Sequence, residues 1–179
     1  MKTILMMVLA VCLSACAAPS VQYYQLPDSV FRQPQQKIGT HTVRLSVESG
    51  DMLRGDALIY QTSPQTVHFA RQHVWAESLE QAAANVMANA LNHASSEQIY
   101  VPDTFQAACP CVRVVLQRFH GSFDGTVRVE GFAQKTDKNG TITDTRSFAV
   151  SKAQQGDGYA AMVAALNEAL KDAARQIMQ

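Results

Sequence analysis

Residues 112–151 read VRVVLQRFHGSFDGTVRVEGFAQKTDKNGTITDTRSFAVS, and this stretch decides the fold. Val112, Val114 and Leu116 fall on alternate positions, the period of a half-buried strand. Val127 and Val129 repeat that period after Asp124-Gly125, and Ile142–Ser151 follows Asn139-Gly140. Both dipeptides suit hairpin turns that need positive φ, so the stretch predicts a three-stranded antiparallel meander.

Downstream, Gly156-Asp157-Gly158 opens a final helix, with Asp157 as the expected N-cap. Tyr159, Met162, Val163, Leu166, Leu170, Ala173 and Ile177 form its apolar stripe. Upstream, a loop through Pro102 and Cys109-Pro110-Cys111 follows a short strand near Gln98–Val101. Before that, the spacing of Leu79, Ala83, Val86, Ala90 and Leu91 predicts a helix over about Glu77–Asn92, with Trp75 at its start as a buried anchor. Ala57–Thr62 and Thr66–Arg71, separated by Ser63-Pro64, read as a hairpin. Val43, Leu45 and Val47 alternate with Arg44, Ser46 and Glu48 in one more strand. The expected fold class is α/β, an α+β sandwich: a mostly antiparallel or mixed sheet with two amphipathic helices on one face.

The N-terminus is organised differently. Lys2, an apolar run from Ile4 to Leu13 and small residues before a cleavage point make a secretory signal peptide. The run is too short for a bilayer span, which needs about 20 apolar residues. It ends in Leu13-Ser14-Ala15-Cys16, which looks like a bacterial lipobox. On that reading residues 1–15 are removed and Cys16 carries the lipid; an ordinary signal peptide cut at Ala15 or Ala18 is the alternative. Residues 16–36 read as a lipidated tether, and residues 37–179 as one globular domain. Within the tether, Tyr23, Tyr24, Leu26 and Pro27 form an apolar patch that a flexible linker has no use for. It either pairs as an edge strand of its own domain or contacts a neighbouring subunit or partner.

Loss of residues 1–15 leaves 164 residues with 14 basic and 15 acidic side chains. That balance carries no basic excess for nucleic acid or for an electrostatic hold on anionic lipid. Cys109 and Cys111 remain besides Cys16. In an oxidising compartment they form a strained bridge, stay free, or bridge to another subunit. Neither has the further ligands a metal site needs. The five histidines, His41, His68, His73, His93 and His120, make no HExxH or similar spacing. Ser122, His120 and Asp124 lie close in sequence, but they are explained as a strand end and turn. No cofactor is expected, and no enzymatic activity.

Several short pieces spread over the chain are similar in kind and order to the ABC-type transport auxiliary lipoprotein family. They are the lipobox, Tyr23-Tyr24-Gln25-Leu26-Pro27, Tyr60-Gln61-Thr62-Ser63, Trp75-Ala76 before a helix, Asp124-Gly125 in a hairpin, and Asp157-Gly158-Tyr159. Cys109-Pro110-Cys111 and the loop around it depart from the family pattern. The resemblance implies a non-catalytic lipoprotein anchored in the outer membrane and facing the periplasm; Ala17 after the cysteine, where Asp would retain it at the inner membrane, implies the same. It implies a phospholipid transport system, with the lipoprotein docking an MCE-domain protein that spans the periplasm. A homo-oligomeric ring would match a ring-shaped partner. The competing expectations are a lipid carrier, which needs an apolar pocket of its own, and a cell-envelope hydrolase, which the absent motifs disfavour.

Overall fold

A computed structural model of the chain describes residues 20–35, 41–103 and 111–178. The organising strand is β6 (Cys111–Ser122). One edge of β6 pairs antiparallel with β7 (Thr126–Thr136), and β7 pairs antiparallel with β8 (Ile142–Ala153). This is the meander expected from residues 112–151, and Gly125 and Gly140 take the positive φ its turns need, 75° and 83°.

The other edge of β6 is shared. Its first half pairs parallel with β2 (His41–Ser49), from Arg44↔Cys111 to Ser49↔Leu116. Its last two residues pair parallel with β3 (Ala57–Ser63), at Tyr60↔Gly121 and Gln61↔Ser122. A register shift between Leu116 and Arg118 marks the changeover, as a bulge that bends and twists the strand allows. Beyond β2 lies β5 (Gln98–Pro102), parallel. Beyond β3 lie β4 (Thr66–Trp75), antiparallel, and then β1 (Gln22–Tyr24), parallel to β4. The result is an eight-stranded mixed sheet that forks at β6 and does not close.

Helices α1 (Leu79–Ala94) and α2 (Gly158–Gln176) cover the sheet. Ser78 caps α1 by accepting the Gln81 amide at 3.3 Å. Val43, Leu45, Val47, Val112, Val114, Leu116, Val127 and Val129 are buried, and they join Val86, Met87, Leu166 and Leu170 in one continuous core. Two expectations need correcting. Trp75 ends β4 instead of starting a helix, because it pairs with Tyr24 of β1 and packs its ring 5.9 Å from Phe119. Asp157 occupies the N-cap position of α2 but its side chain makes no capping bond.

Residues 25–35, which follow β1, form a strap across the helices. It is held by asparagines that pair with its backbone as a neighbouring strand would. Asn85 donates to the Ser29 carbonyl at 2.7 Å, and Asn89 donates to the carbonyls of Asp28 and Val30 at 3.1 and 2.9 Å. Asn89 also accepts the Arg32 amide at 2.9 Å. On α2, Asn167 accepts the Asp28 amide at 3.2 Å, and Lys171 pairs with the Asp28 carboxylate at 2.6 Å. The second half of the expected tether is therefore part of the fold: Gln22–Tyr24 is an edge strand, and Leu26 is 1% exposed.

Lys171 and Asn167, by bonding to Asp28, hold its carboxyl below the ordinary value of 3.8. A depressed carboxyl pKa adds stability that is present above the ordinary value and is lost as pH falls through the folded one. Replacing Asp28 with Asn should cost about 1 kcal/mol near neutrality, since the pair is partly hydrated. Melting curves of the two proteins should converge as pH is lowered below 3.8. A gap that persists into strong acid would show that Asp28 acts through shape alone.

Candidate docking end

Strand directions gather one end of the molecule. β3 runs parallel to β6, β4 returns antiparallel, and β1 is parallel to β4. Followed backwards from Tyr24 to Ser20, the chain thus heads toward the end of the sheet where β6 turns at Phe123. β8 also ends there, because Ala153 pairs with Thr126, and α2 starts there.

Between these turns lies a cleft of about 500 Å³ lined by Tyr60, Ser122, Phe123, Gln154, Tyr159 and Met162. Its walls are braced by amides. The Gln154 backbone N–H donates to the Gly125 carbonyl at 2.9 Å, while its side chain donates to the carbonyls of Gly156 and Gly158 at 2.9 and 3.2 Å. Ser122 Oγ donates to Gln61 Oε1 at 3.3 Å, and Gln61 Nε2 donates to the Pro64 carbonyl at 3.2 Å. Gly121 has to be glycine for the cleft floor, since a Cβ there would lie 2.3 Å from the Met162 sulfur and 3.0 Å from the Tyr60 ring.

One wall is an aromatic stack. The His73 and Tyr159 rings lie 4.0 Å apart, nearly parallel at 26°. Tyr24 tilts against both, at 5.6 and 6.2 Å, with its hydroxyl 2.9 Å from His73 Nδ1. Burial, with Tyr24 and Tyr60 adding to it, raises the Tyr159 phenol above its ordinary value.

Of the residues proposed to contact a partner, the structure keeps Tyr23 and Pro27 at the surface, Tyr23 with 71% exposure. Tyr24 belongs to the stack. Leu26 is withdrawn as a contact residue, because it is inside its own domain's core. Cys16 and Cys109 lie outside the described residues, and so does their chemistry. Cys111 starts β6 half-buried, opposite Thr136, and forms no disulfide with a described residue.

His120 bonds to neither Ser122 nor Asp124, so the three form no relay. His120 is fully buried, with Nδ1 donating to the Gly121 carbonyl at 2.9 Å, and burial holds its imidazole below the ordinary value. Asp124 accepts from the Thr126 hydroxyl and amide and from Arg128, which together hold its carboxyl well below the usual range. Ser122 gives its proton to Gln61. Among the described residues no cluster of His, Cys, Asp or Glu has metal-site geometry, and no helix is long and apolar enough to cross a membrane. The bracing residues Gln61 and Gln154 and the stacking His73 carried no signal in the sequence; only their partners' turn motifs did.

The motif residues Tyr24, Tyr60, Gly125, Asp157 and Tyr159 line or border this one cleft. The chain belongs to the ABC-type transport auxiliary lipoprotein component family, whose model matches residues 24–178. It is similar to the intermembrane transport lipoprotein PqiC of Escherichia coli K12, at 28% identity over 185 residues, covering 100% of this chain and 97% of that protein. PqiC of Shigella flexneri matches equally. A crystal structure of an uncharacterized protein superposes with a TM-score of 0.74 at 25% identity, over 88% of this chain and 96% of that one. A Xanthomonas campestris protein shares the fold alone, at a TM-score of 0.66 and 13% identity over 88% and 92% of the two chains.

Proposed function

We infer that this chain is an outer-membrane-anchored lipoprotein subunit of an intermembrane phospholipid transport system, facing the periplasm. It acts as a non-catalytic docking adaptor for an MCE-domain protein that spans the periplasm. Membership of the auxiliary lipoprotein family and the transport role named for PqiC support this reading. Identical subunits forming a ring would present a matching rim to a ring-shaped partner.

The observation that carries the adaptor reading is the strap. The chain is bound to its domain from Gln22 onward, six residues after Cys16. At about 3.3–3.6 Å per residue, the anchor and the domain lie within roughly 20 Å of each other. A receiver for an incoming partner needs that fixed mount. A carrier that collects lipid at one membrane and delivers it at another needs a long leash or none.

Crosslinking in intact cells, followed by purification of the chain, tests the proposal. The adaptor should bring down an MCE-domain protein and carry no stoichiometric phospholipid in mass spectra. Recovery of phospholipid in equal amounts without such a partner would favour the carrier and overturn the adaptor.

A further inference from the structure

Three segments make up the end that holds the cleft, residues 62–68, 122–126 and 153–159, and residues 20–22 run toward it from the Gln22↔His73 pairing. They contain no lysine or arginine, and their only acidic residues are Asp124 and Asp157. Asp124 is already paired with Arg128 at 3.0 Å. The same end exposes large apolar side chains. Phe123 is 50% exposed at the turn, and Val21 at 46% and Tyr23 at 71% are exposed along the approach to it. The opposite end is charged: the β7–β8 turn runs Lys135, Asp137, Lys138, and Arg175 ends α2.

The chain direction fixes which end meets the anchor. Upstream of Gln22 the backbone points toward the Phe123 end, as the strand pairings require. Cys16 is four residues before Ser20, where the described chain starts, so about 14 Å is the farthest that the anchor can lie from Ser20. From the Phe123 turn to the Asn139 turn is the length of the eleven-residue strand β7, about 35 Å at 3.3 Å per residue.

We propose that the Phe123 end of the domain is a membrane-contact surface: Val21, Tyr23 and Phe123 sit in the headgroup region of the phospholipid leaflet that holds the anchor, and the cleft opens against that leaflet. At the edge of a bilayer a tyrosine buries its ring while its hydroxyl stays wet, and a phenylalanine such as Phe123 contributes apolar burial alone. With Arg128 already paired to Asp124 and no lysine or arginine in these segments, the contact is held by apolar burial and the acyl anchor and depends little on salt. The proposal rests on the anchor reading given under Proposed function. It assigns Tyr23 to lipid, and it leaves the charged far end to face into the periplasm.

The test uses the full chain, made in a bacterial host that acylates it and reconstituted into vesicles of phosphatidylethanolamine and phosphatidylglycerol, some carrying brominated acyl chains. Trp75 is the one tryptophan and is buried, so the wild-type protein supplies an unquenched baseline. Three exposed positions receive a reporter in turn: Tyr23→Trp, Phe123→Trp and Asn139→Trp. Bromolipid should quench the first two and leave Asn139→Trp at the baseline, with the same result in low and high salt. Protein that floats with the vesicles yet shows no quenching at either position, or stronger quenching at Asn139→Trp, overturns the membrane-contact surface alone. Protein that does not float overturns the anchor reading, and this proposal with it.

Discussion

Cys16→Ser protein should leave the outer-membrane fraction and appear as soluble periplasmic or unprocessed chain, without incorporating a fatty-acid label. Each buried methylene contributes about 0.8 kcal/mol of membrane affinity, and single acyl chains hold a protein only marginally. A lipobox product carries several chains, so their loss should change partitioning from near-complete to near-zero. The fold should be unaffected, because nothing described in the domain depends on residue 16. Wild-type protein that takes up no label, or Cys16→Ser protein that still sediments with the outer membrane, would refute lipid anchoring. The lipobox in Leu13–Cys16 would then be an ordinary signal-peptide end.

The second large effect is on the sheet. Gly131 of β7 lies opposite Leu116, where β6 changes partner. A Cβ at this position would stand 2.1 Å from the Val115 carbonyl oxygen and 2.9 Å from the Phe148 ring. The first of these is backbone, so neither side-chain rotation nor a small shift relieves it. Gly131→Ala should cost about 3 kcal/mol or more, at the upper end of overpacking effects, and lower the melting temperature by roughly 10 °C. Leu166→Ala should be comparable, at about 2–5 kcal/mol, through a cavity in the middle of the core. Gly131→Ala protein that melts with the wild type would show that β6 and β7 are not in this register.

The parts of this fold that could be read in advance are those whose signal is local. The β6–β8 meander showed itself through a period of two and two turn dipeptides, and both helices through apolar stripes. The parts that could not be read depend on distant partners. That the tyrosine patch pairs as an edge strand was one of two readings, but β1 has three residues, too few for a period, and its partner β4, parallel and about fifty positions away, left no local mark. Asn85, Asn89 and Asn167 look like solvated helix surface in sequence. Their carboxamides stand in for a strand edge only when Asp28–Arg32 is laid across them. Domain limits inferred from composition therefore put the start near Lys37, when packing begins at Gln22. Trp75 was placed in the wrong element because a tryptophan before a helical stripe resembles a helix start, whereas here two strands claim it. At the candidate site, the turn motifs marked Gly125, Asp157 and Gly158 as turn and cap residues, but nothing local brought Tyr24, His73 and Tyr159 together as a stack. Gln61 and Gln154, which brace the cleft, are ordinary polar residues until the backbone carbonyls they serve are seen.

The central proposal is that a short connection keeps the domain close to its membrane so that a partner can dock on it. Inserting about twenty Gly and Ser residues between Ala18 and Pro19 lengthens that connection without touching the anchor or the fold, since such a linker is a random coil with a root-mean-square span of roughly 25 Å. The measurement is growth of cells under membrane stress with the lengthened chain as the sole copy, with lipid labelling and melting checked alongside. The account predicts a labelled, normally folded protein that fails to restore resistance. Full restoration by the lengthened chain would contradict it, because a freely ranging carrier would then serve as well as a fixed adaptor.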